Sequence, residues 1–375
     1  MKRVLMLVCV LILFCGCAAP AVPADPPAQE QKVPFALKGV WVSFLELDAA
    51  FAGANAKDAA AYIDGVMNTC QKDGFNTVFW HVRAMGDAYY ASDLFPPADS
   101  TKALLQAGFD PLRYAVEAAH KQGLSLHAWI NPYRIGTDCT RAICEDIYKW
   151  EEMYYYVPTS QTVQKHILNG VREVVHSYAV DGVQFDDYFY PAGLPETAMS
   201  FEKPPATLSV AAWRRAAVSG LVAAAKSAVN TRKGCVFGIS PAGDMTRSEE
   251  MLYADVKRWL RYGYVDYMCP QIYSGFSHQT LPFSQTADDW AALPRASGVR
   301  LYVGLALYKT GENDTYAGSG AQEWVSGADI LARQAASSIE KGYDGFAVFR
   351  YAHWIQTGGA VREAEKTALR EILNK

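Results

Sequence analysis

Several signatures are missing from this chain of 375 residues, and each omission closes a class of chemistry. No two cysteines are spaced CxxC, so a metal site built on thiolate pairs has no ligands to start from. None of the seven histidines forms an HxxxH pair. No GxxxxGK[ST] segment is present to cradle phosphates, which removes nucleotide chemistry. Positive charge is not in excess: 35 Lys and Arg face 39 Asp and Glu, for a net charge of -4. With no basic stripe either, nucleic acid is not an expected partner. No metal and no cofactor is expected.

What is present is a globular composition, 50% hydrophobic and 20% charged, long enough for one large α/β domain or two smaller ones. The first residues stand apart. In MKRVLMLVCVLILFCGC, Lys2 and Arg3 precede an apolar core from Val4 to Phe14, then small residues. This reads as a signal peptide over residues 1–16, too short to be a good membrane span. Gly16 before Cys17, with Leu13 four residues upstream of the cysteine, marks Cys17 as the lipidation site of an exported lipoprotein. The plainer alternative is ordinary cleavage near Ala18 or Ala19. A lipid on Cys17 would hold the protein on a membrane surface at the cell envelope or periplasm without spanning it. Residues 17–36 are rich in Pro and Ala, as an extended tether requires. Cys70, Cys139, Cys144, Cys235 and Cys269 then remain. Their odd number argues against a full disulfide framework, although export permits a bridge between Cys139 and Cys144 in one loop.

From residue 37 to 375 one local grammar recurs. QKDGFNTVFWHVR, HKQGLSLHAWINPYR, RYGYVDYMCPQIYS and EKGYDGFAVFRYAHW each carry an amphipathic stretch, a glycine, an apolar run and then polar and aromatic residues. Gly74, Gly123, Gly263 and Gly342 sit where helices stop and strands begin. The apolar runs are continuous rather than alternating, as in parallel strands buried on both faces. Eight of them are found: Leu37–Leu45, Thr77–Val82, Ser125–Ile130, Gly182–Asp186, Val236–Ser240, Asp266–Pro270, Leu301–Leu307 and Gly345–Phe349. Asp110 and Pro111 open a helix at DPLRYAVEAAHKQG. SVAAWRRAAVSGLVAAAKSAVN and SEEMLYADVKRWLRYG read as long amphipathic helices. The expected fold is a (β/α)8 TIM barrel, with a doubly wound open sheet as the alternative.

A barrel of this kind carries its chemistry after the strand ends. In order those positions hold Glu46; His81 and Arg83; Asn131, Tyr133 and Arg134; Asp186, Asp187 and Tyr188; Ser240 and Asp244; Gln271 and Tyr273; Tyr308 and Lys309; and Arg350, Tyr351 and Trp354. Carboxylates, guanidinium, amides and flat rings together suit a sugar, whose hydroxyls need polar partners and whose ring face needs an apolar one. His127 reads as core, and Trp41, Trp80 and Trp129 as barrel packing.

DGVQFDDYFYP, residues 181–191, is the most informative segment, because it ends an apolar run on two adjacent anions. Asp181 reads as a turn residue. Asp186 and Asp187 are the candidate catalytic pair, since cleaving a glycosidic bond takes one group to protonate the leaving oxygen and another to stabilise or attack the anomeric carbon. The alternative is that either one caps a helix or pairs with Arg83 or Arg134. Two mechanisms fit. Asp186 is a nucleophile about 5 Å from a more distant acid, or it orients an acetamido group of the substrate while Asp187 supplies the proton. The segment is similar to the chitinase signature DGxDxDxE at Asp181, Gly182 and Asp186, but Gln184 and Tyr188 replace two of its acidic residues. The adjacent pair resembles instead the Asp-Asp of some N-acetylglucosaminidases.

KGVWVSFLELD, GFNTVFWHVRAMGDAYYASDLFP, HAWINPYR, DGVQFDDYFYP and CPQIYS, in that order, resemble the glycosyl hydrolase-like 10 family of bacterial surface lipoproteins. The resemblance implies a TIM barrel acting on a polysaccharide of the bacterial cell wall, such as peptidoglycan strands stripped of peptide. It carries Asp186 and Asp187 over as catalytic candidates and Arg83, Asn131, Tyr133, Arg134 and Gln271 as cleft residues. Two rivals remain: a non-catalytic glycan-binding lipoprotein, and a metal-dependent polysaccharide deacetylase, which would need the histidine spacing that is missing.

Overall fold

The computed structural model describes residues 37–199 and 201–374. The expected signal, Cys17 and the tether therefore lie outside the described residues. Eight parallel strands close a barrel in chain order: β1 (Leu37–Val42), β2 (Thr77–Arg83), β3 (Ser125–Ile130), β4 (Gly182–Phe185), β5 (Val236–Ile239), β6 (Tyr267–Met268), β7 (Arg300–Ala306) and β8 (Gly345–Phe349), which pairs back onto β1. This is the (β/α)8 TIM barrel, and each of the eight apolar runs overlaps one of its strands.

Strand periodicity divides the core into two shells. Val78, Trp80 and Val82 of β2 face outward into the large cluster beneath the helices, while Phe79 faces the axis. The inner shell holds Trp41, Phe79, Trp129, Tyr267 and Tyr302. So many rings fit because glycine faces them. A Cβ on Gly238 would lie 2.0 Å from Tyr267, and one on Gly182 would lie 2.8 Å from the His127 ring. His127 is indeed core: it bonds the Tyr267 hydroxyl at 3.0 Å, and burial holds its pKa down at about 4.

Helices return the chain from one strand to the next, and Gly74, Gly123, Gly263 and Gly342 adopt left-handed φ of 67–89° at their ends. Asp110 caps Pro111–Lys121 through the amides of Leu112 and Arg113, and Ser209 caps Val210–Val229. Asp181 is the turn residue before β4, accepting from the Leu126 amide at 2.8 Å and contacting His120. Among the described residues no helix is long and apolar enough to cross a membrane.

Three expectations need correction. The first run does not continue to Leu45. β1 stops at Val42, and Ser43 caps a helix over Phe44–Phe51. The long helix expected at SEEMLYADVKRWLRYG is broken into a π-helical turn, Arg247–Met251, and a short helix, Val256–Arg261. Tyr253 between them takes a φ of +54° and accepts from the buried Arg214 at 3.1 Å, while Asp255 caps the second piece. A tertiary contact thus overrides the local pattern. Finally, Cys139 and Cys144 stand as separate thiols with no bridge between them. They lie in an insertion after β3 that forms a small antiparallel sheet from Arg134–Gly136, Ile147–Trp150 and Met153–Tyr156.

Candidate active site

In DGVQFDD the odd and even positions part company. Val183 and Phe185 join the outer core, whereas Gln184 reaches inward and accepts from the Trp41 indole at 2.7 Å. Asp186 has the same parity as Gln184 and stands at the strand end, 3% exposed. Its Oδ1 accepts from the Tyr188 amide at 3.2 Å, and its Oδ2 from the Trp129 indole at 3.3 Å. Asp187 begins the loop, half-buried. Its Oδ1 accepts from Gln271 Nε2 at 3.3 Å, and that amide is fixed by the Ser240 carbonyl at 2.9 Å. Neither carboxylate caps a helix. The Tyr188 ring is 46% exposed and lies 4.5 Å from the Arg134 guanidinium.

Burial first, and then the charge of Asp187, pushes Asp186 up to about 8, against the opposing pull of Arg134 and the two N–H donors. Burial raises Asp187 as well, countered by Gln271, Arg247 and Arg134. The two titrate as a pair, and burial with their mutual repulsion favours keeping a proton to higher pH than either would in water. Two carboxyls of this kind hold both a proton to give and a charge to stabilise a cation.

His81 is buried and stacks on Trp129 with ring centroids 3.7 Å apart. Its Nδ1 accepts from the Phe44 amide at 3.3 Å, and burial, helped by Arg134, holds its pKa well below the usual range. A neutral His81 therefore fixes the indole that holds Asp186. Asn131 lies against His81 and donates to the Ala84 carbonyl at 3.1 Å. Tyr273 forms an aromatic wall with Tyr308 and Phe349, at centroid distances of 5.9 and 5.8 Å. Asp186, Asp187, Tyr188, Arg134, Gln271, Tyr273, His81 and Asn131 are thus brought into one constellation.

Three expected cleft residues are placed differently. Arg83 is fully buried on the outer side of the barrel, its guanidinium 3.6 Å from the Phe95 ring and beside Gly170 of the helix Gln161–Ser177. Tyr133 is fully buried in the outer core. Glu46 is at the mouth but committed: it bonds Arg350, the Ser43 hydroxyl and amide, and the Ala352 amide at 3.1 Å. Ser240 contributes its backbone carbonyl to the Gln271 amide, and Asp244 accepts from the Thr246 and Arg247 amides. Lys309 pairs with Asp314, and Trp354 donates to Asp73. Among the described residues no group of three or more His, Cys, Asp or Glu is arranged to hold a metal ion.

A family model described as Glycosyl hydrolase-like 10 matches residues 36–319. The chain belongs to this family. It is 31% identical to Glycosyl hydrolase DigH of Escherichia coli K12 over 370 residues, covering 83% of this chain and 84% of that protein. It is also 31% identical to Glycosyl hydrolase YngK of Bacillus subtilis over 351 residues, covering 84% of this chain and 68% of that one. Among solved structures, the glycoside hydrolase domain of PgaB (BpsB) from Bordetella bronchiseptica superposes with a TM-score of 0.57 at 12% identity, over 91% of this chain and 99% of that one. The catalytic domain of β-amylase from Paenibacillus polymyxa gives 0.56 at 13%, over 89% and 98%. At such identities these two likenesses speak for the barrel alone.

For a glycosyl hydrolase-like 10 barrel, the site residues that the sequence did not single out are Trp129, Trp41, Gln184 and Arg247. Trp129 was legible. It pairs with Gln184 in the β3–β4 register, so Asp186, two residues on, shares its inward face. Arg247 carried no signal, because the π-helical turn is what brings its charge near Asp187.

Proposed function

We propose that this chain is a glycoside hydrolase of bacterial cell-wall glycan, acting on N-acetylhexosamine strands such as peptide-stripped peptidoglycan with Asp186 and Asp187 as its catalytic carboxyls. One observation carries the reading: two adjacent carboxyls at the end of β4, both raised by burial, bound to Trp129 and Gln271 rather than spent on a cap or an ion pair. Family membership and the names of the relatives agree with it.

The adjacency favours the mechanism in which the substrate's own acetamido group attacks. Its carbonyl oxygen forms a bond to the anomeric carbon as the glycosidic C–O bond breaks. One carboxyl gives its proton to the departing oxygen, and the other, anionic, holds the amide N–H. Water then attacks the anomeric carbon and the bond to the acetamido oxygen breaks, which regenerates the acetamide; one water proton returns to the acid and the other stays on the new anomeric hydroxyl. Of the two other carboxylates the sequence placed after strand ends, Glu46 is tied to Arg350 and Asp244 accepts from the amides of Thr246 and Arg247.

The test is to incubate the full chain with intact and with amidase-treated peptidoglycan and to identify the released sugars by mass spectrometry. Asp186→Asn keeps the volume and removes the ionisable carboxyl, so turnover falls on the order of a hundredfold or more while glycan binding persists. In Asp187→Asn, a substrate with a good leaving group is cleaved far better than natural glycan if Asp187 is the acid. Wild-type turnover in Asp186→Asn overturns the assignment. Glycan capture with no released sugar from the wild type establishes the binding-protein alternative.

A further inference from the structure

A second concavity opens on the same face of the barrel. It has a volume of about 390 Å³ and is lined by Asp48, Asp87, Tyr89, Ser100 and Arg141 among others, from the segments that follow β1, β2 and β3. Its hydrogen bonding is one-sided. Tyr89 and Ser100 both donate to Asp48 Oδ1, at 2.9 and 2.6 Å. Arg141 donates to Asp87 Oδ2 and to Asp99. These bonds turn the tyrosine and serine hydroxyls and two nitrogens of Arg141 onto carboxylates of the wall. Asp87 is 1% exposed, and its Oδ1 has no hydrogen-bond partner. Three carboxyls against one guanidinium give the wall a formal charge of -2, with burial raising the pKa of Asp87.

The occupant must therefore bring donors and positive charge. An anion is repelled, and the carboxylates do not converge as metal ligands. A neutral hydroxyl would satisfy one oxygen and leave the charge. An ammonium group carries three donors and no acceptor, and its bonds to carboxylate are charge-assisted. We propose that this cavity is a subsite for a protonated primary amine carried by the polymer whose next units enter the cleft. The volume lies within the range of small-molecule pockets, at about 300–1,000 Å³. Such an amine has two sources in a cell-wall polymer, a hexosamine lacking its acetyl group or an amino group at the end of a peptide stem. The identity of the polymer rests on the glycan reading above; the amine itself does not.

Binding is measured by calorimetry on the full chain carrying Asp186→Asn, so that turnover plays no part. The probes are the disaccharide of glucosamine, its N-acetylated counterpart, a short peptide with a free lysine side chain, and calcium chloride. The amine disaccharide binds more tightly than the acetylated one. Asp87→Asn then weakens it on the order of tenfold or more, the scale of one charge-assisted pair. Because losing the Asp87–Arg141 pair can disturb the fold, Ala52→Trp is the companion variant. It fills the cavity from an exposed lining position, leaves every carboxylate in place and abolishes amine binding. Preference for the peptide over the sugar supports the subsite and assigns its source. Equal binding of amine and acetamide, unchanged binding in both variants, or calcium binding that Asp87→Asn removes while no amine binds, overturns the proposal. Loss of glycan cleavage with amine binding intact would count against the hydrolase reading and not against this site.

Discussion

Asp186 and Asp187 gain their chemistry from their surroundings rather than from their identity. Placed on an exposed loop, both would be ordinary anions at neutral pH. Enclosed by Trp129, Gln271 and each other, they retain a proton that neither would hold in water. The activity should accordingly fall on the alkaline side as the pair loses its shared proton, near the value of about 8 for Asp186. Asp187→Asn removes the like charge that helps raise Asp186, so Asp186 should ionise at lower pH in this variant than in the wild type. A pH profile of kcat/KM reads this directly. Stability follows the same group with a fixed sign. Its folded pKa lies above its unfolded value, so the stability it contributes is present in acid and lost as pH rises through about 8. Asp186→Asn should therefore melt higher than the wild type at pH 9, and the difference should vanish toward pH 4. Equal melting temperatures at both pH values would mean that the carboxyl is not buried in solution.

At the scale of elements, the mouth of the barrel is held by a clamp between its first and last strands. Ser43 and Glu46 follow β1, and Arg350 and Ala352 follow β8; all four meet in one hydrogen-bonded cluster. The Glu46 side chain is 6% exposed and that of Arg350 18%, so neither charge is well hydrated. Arg350→Met leaves Glu46 buried without its counter-charge, a loss on the order of 3 kcal/mol. Double substitution with Glu46→Gln should recover part of it, and urea unfolding of the single and double variants measures both numbers. If Arg350→Met is as stable as the wild type, the clamp is an exposed pair of little consequence. Local helix signals are subordinate to such contacts elsewhere too, as Tyr253 shows by breaking an amphipathic run to meet Arg214.

For the whole molecule, closure is the controlling fact. The family match ends at residue 319, before β8 and before the helices Ile330–Glu340 and Ala360–Leu373. β8 pairs with both β1 and β7, so a chain stopped at residue 319 would open the barrel and expose two strand edges. Such a truncation should give insoluble protein with no cooperative thermal transition, whereas a chain ending at Lys375 should melt in one. A soluble, cooperatively melting fragment would show that the match is itself a folding unit. The other whole-molecule question is where the barrel works. The Cys17 anchor remains a proposal: Cys17→Ala should abolish metabolic labelling with palmitate and release the protein from the membrane fraction, and unchanged labelling would sink it.

The sequence by itself determined the eight strands, because continuous apolar runs after helix-stopping glycines have no other economical arrangement. It also placed Asp186 at the end of the fourth strand, and the rings and amides after the strands at one end of the barrel. Tertiary structure alone decided which of those residues reach the cleft. In a regular strand Phe79, His81 and Arg83 would share the axial face, yet the register between β2 and β3 shifts between His81 and Arg83. That bulge inserts Val82 as an extra residue and turns Arg83 outward, against Phe95 and Gly170. Nor could the sequence foresee that Glu46 would be consumed by Arg350, 304 residues away, or that the segment Arg134–Tyr156 would fold into a small sheet and bring Arg134 over Tyr188. Period and punctuation are local properties of a chain. Register shifts and partners across the barrel arise only when distant segments compete for the same space and the same charge.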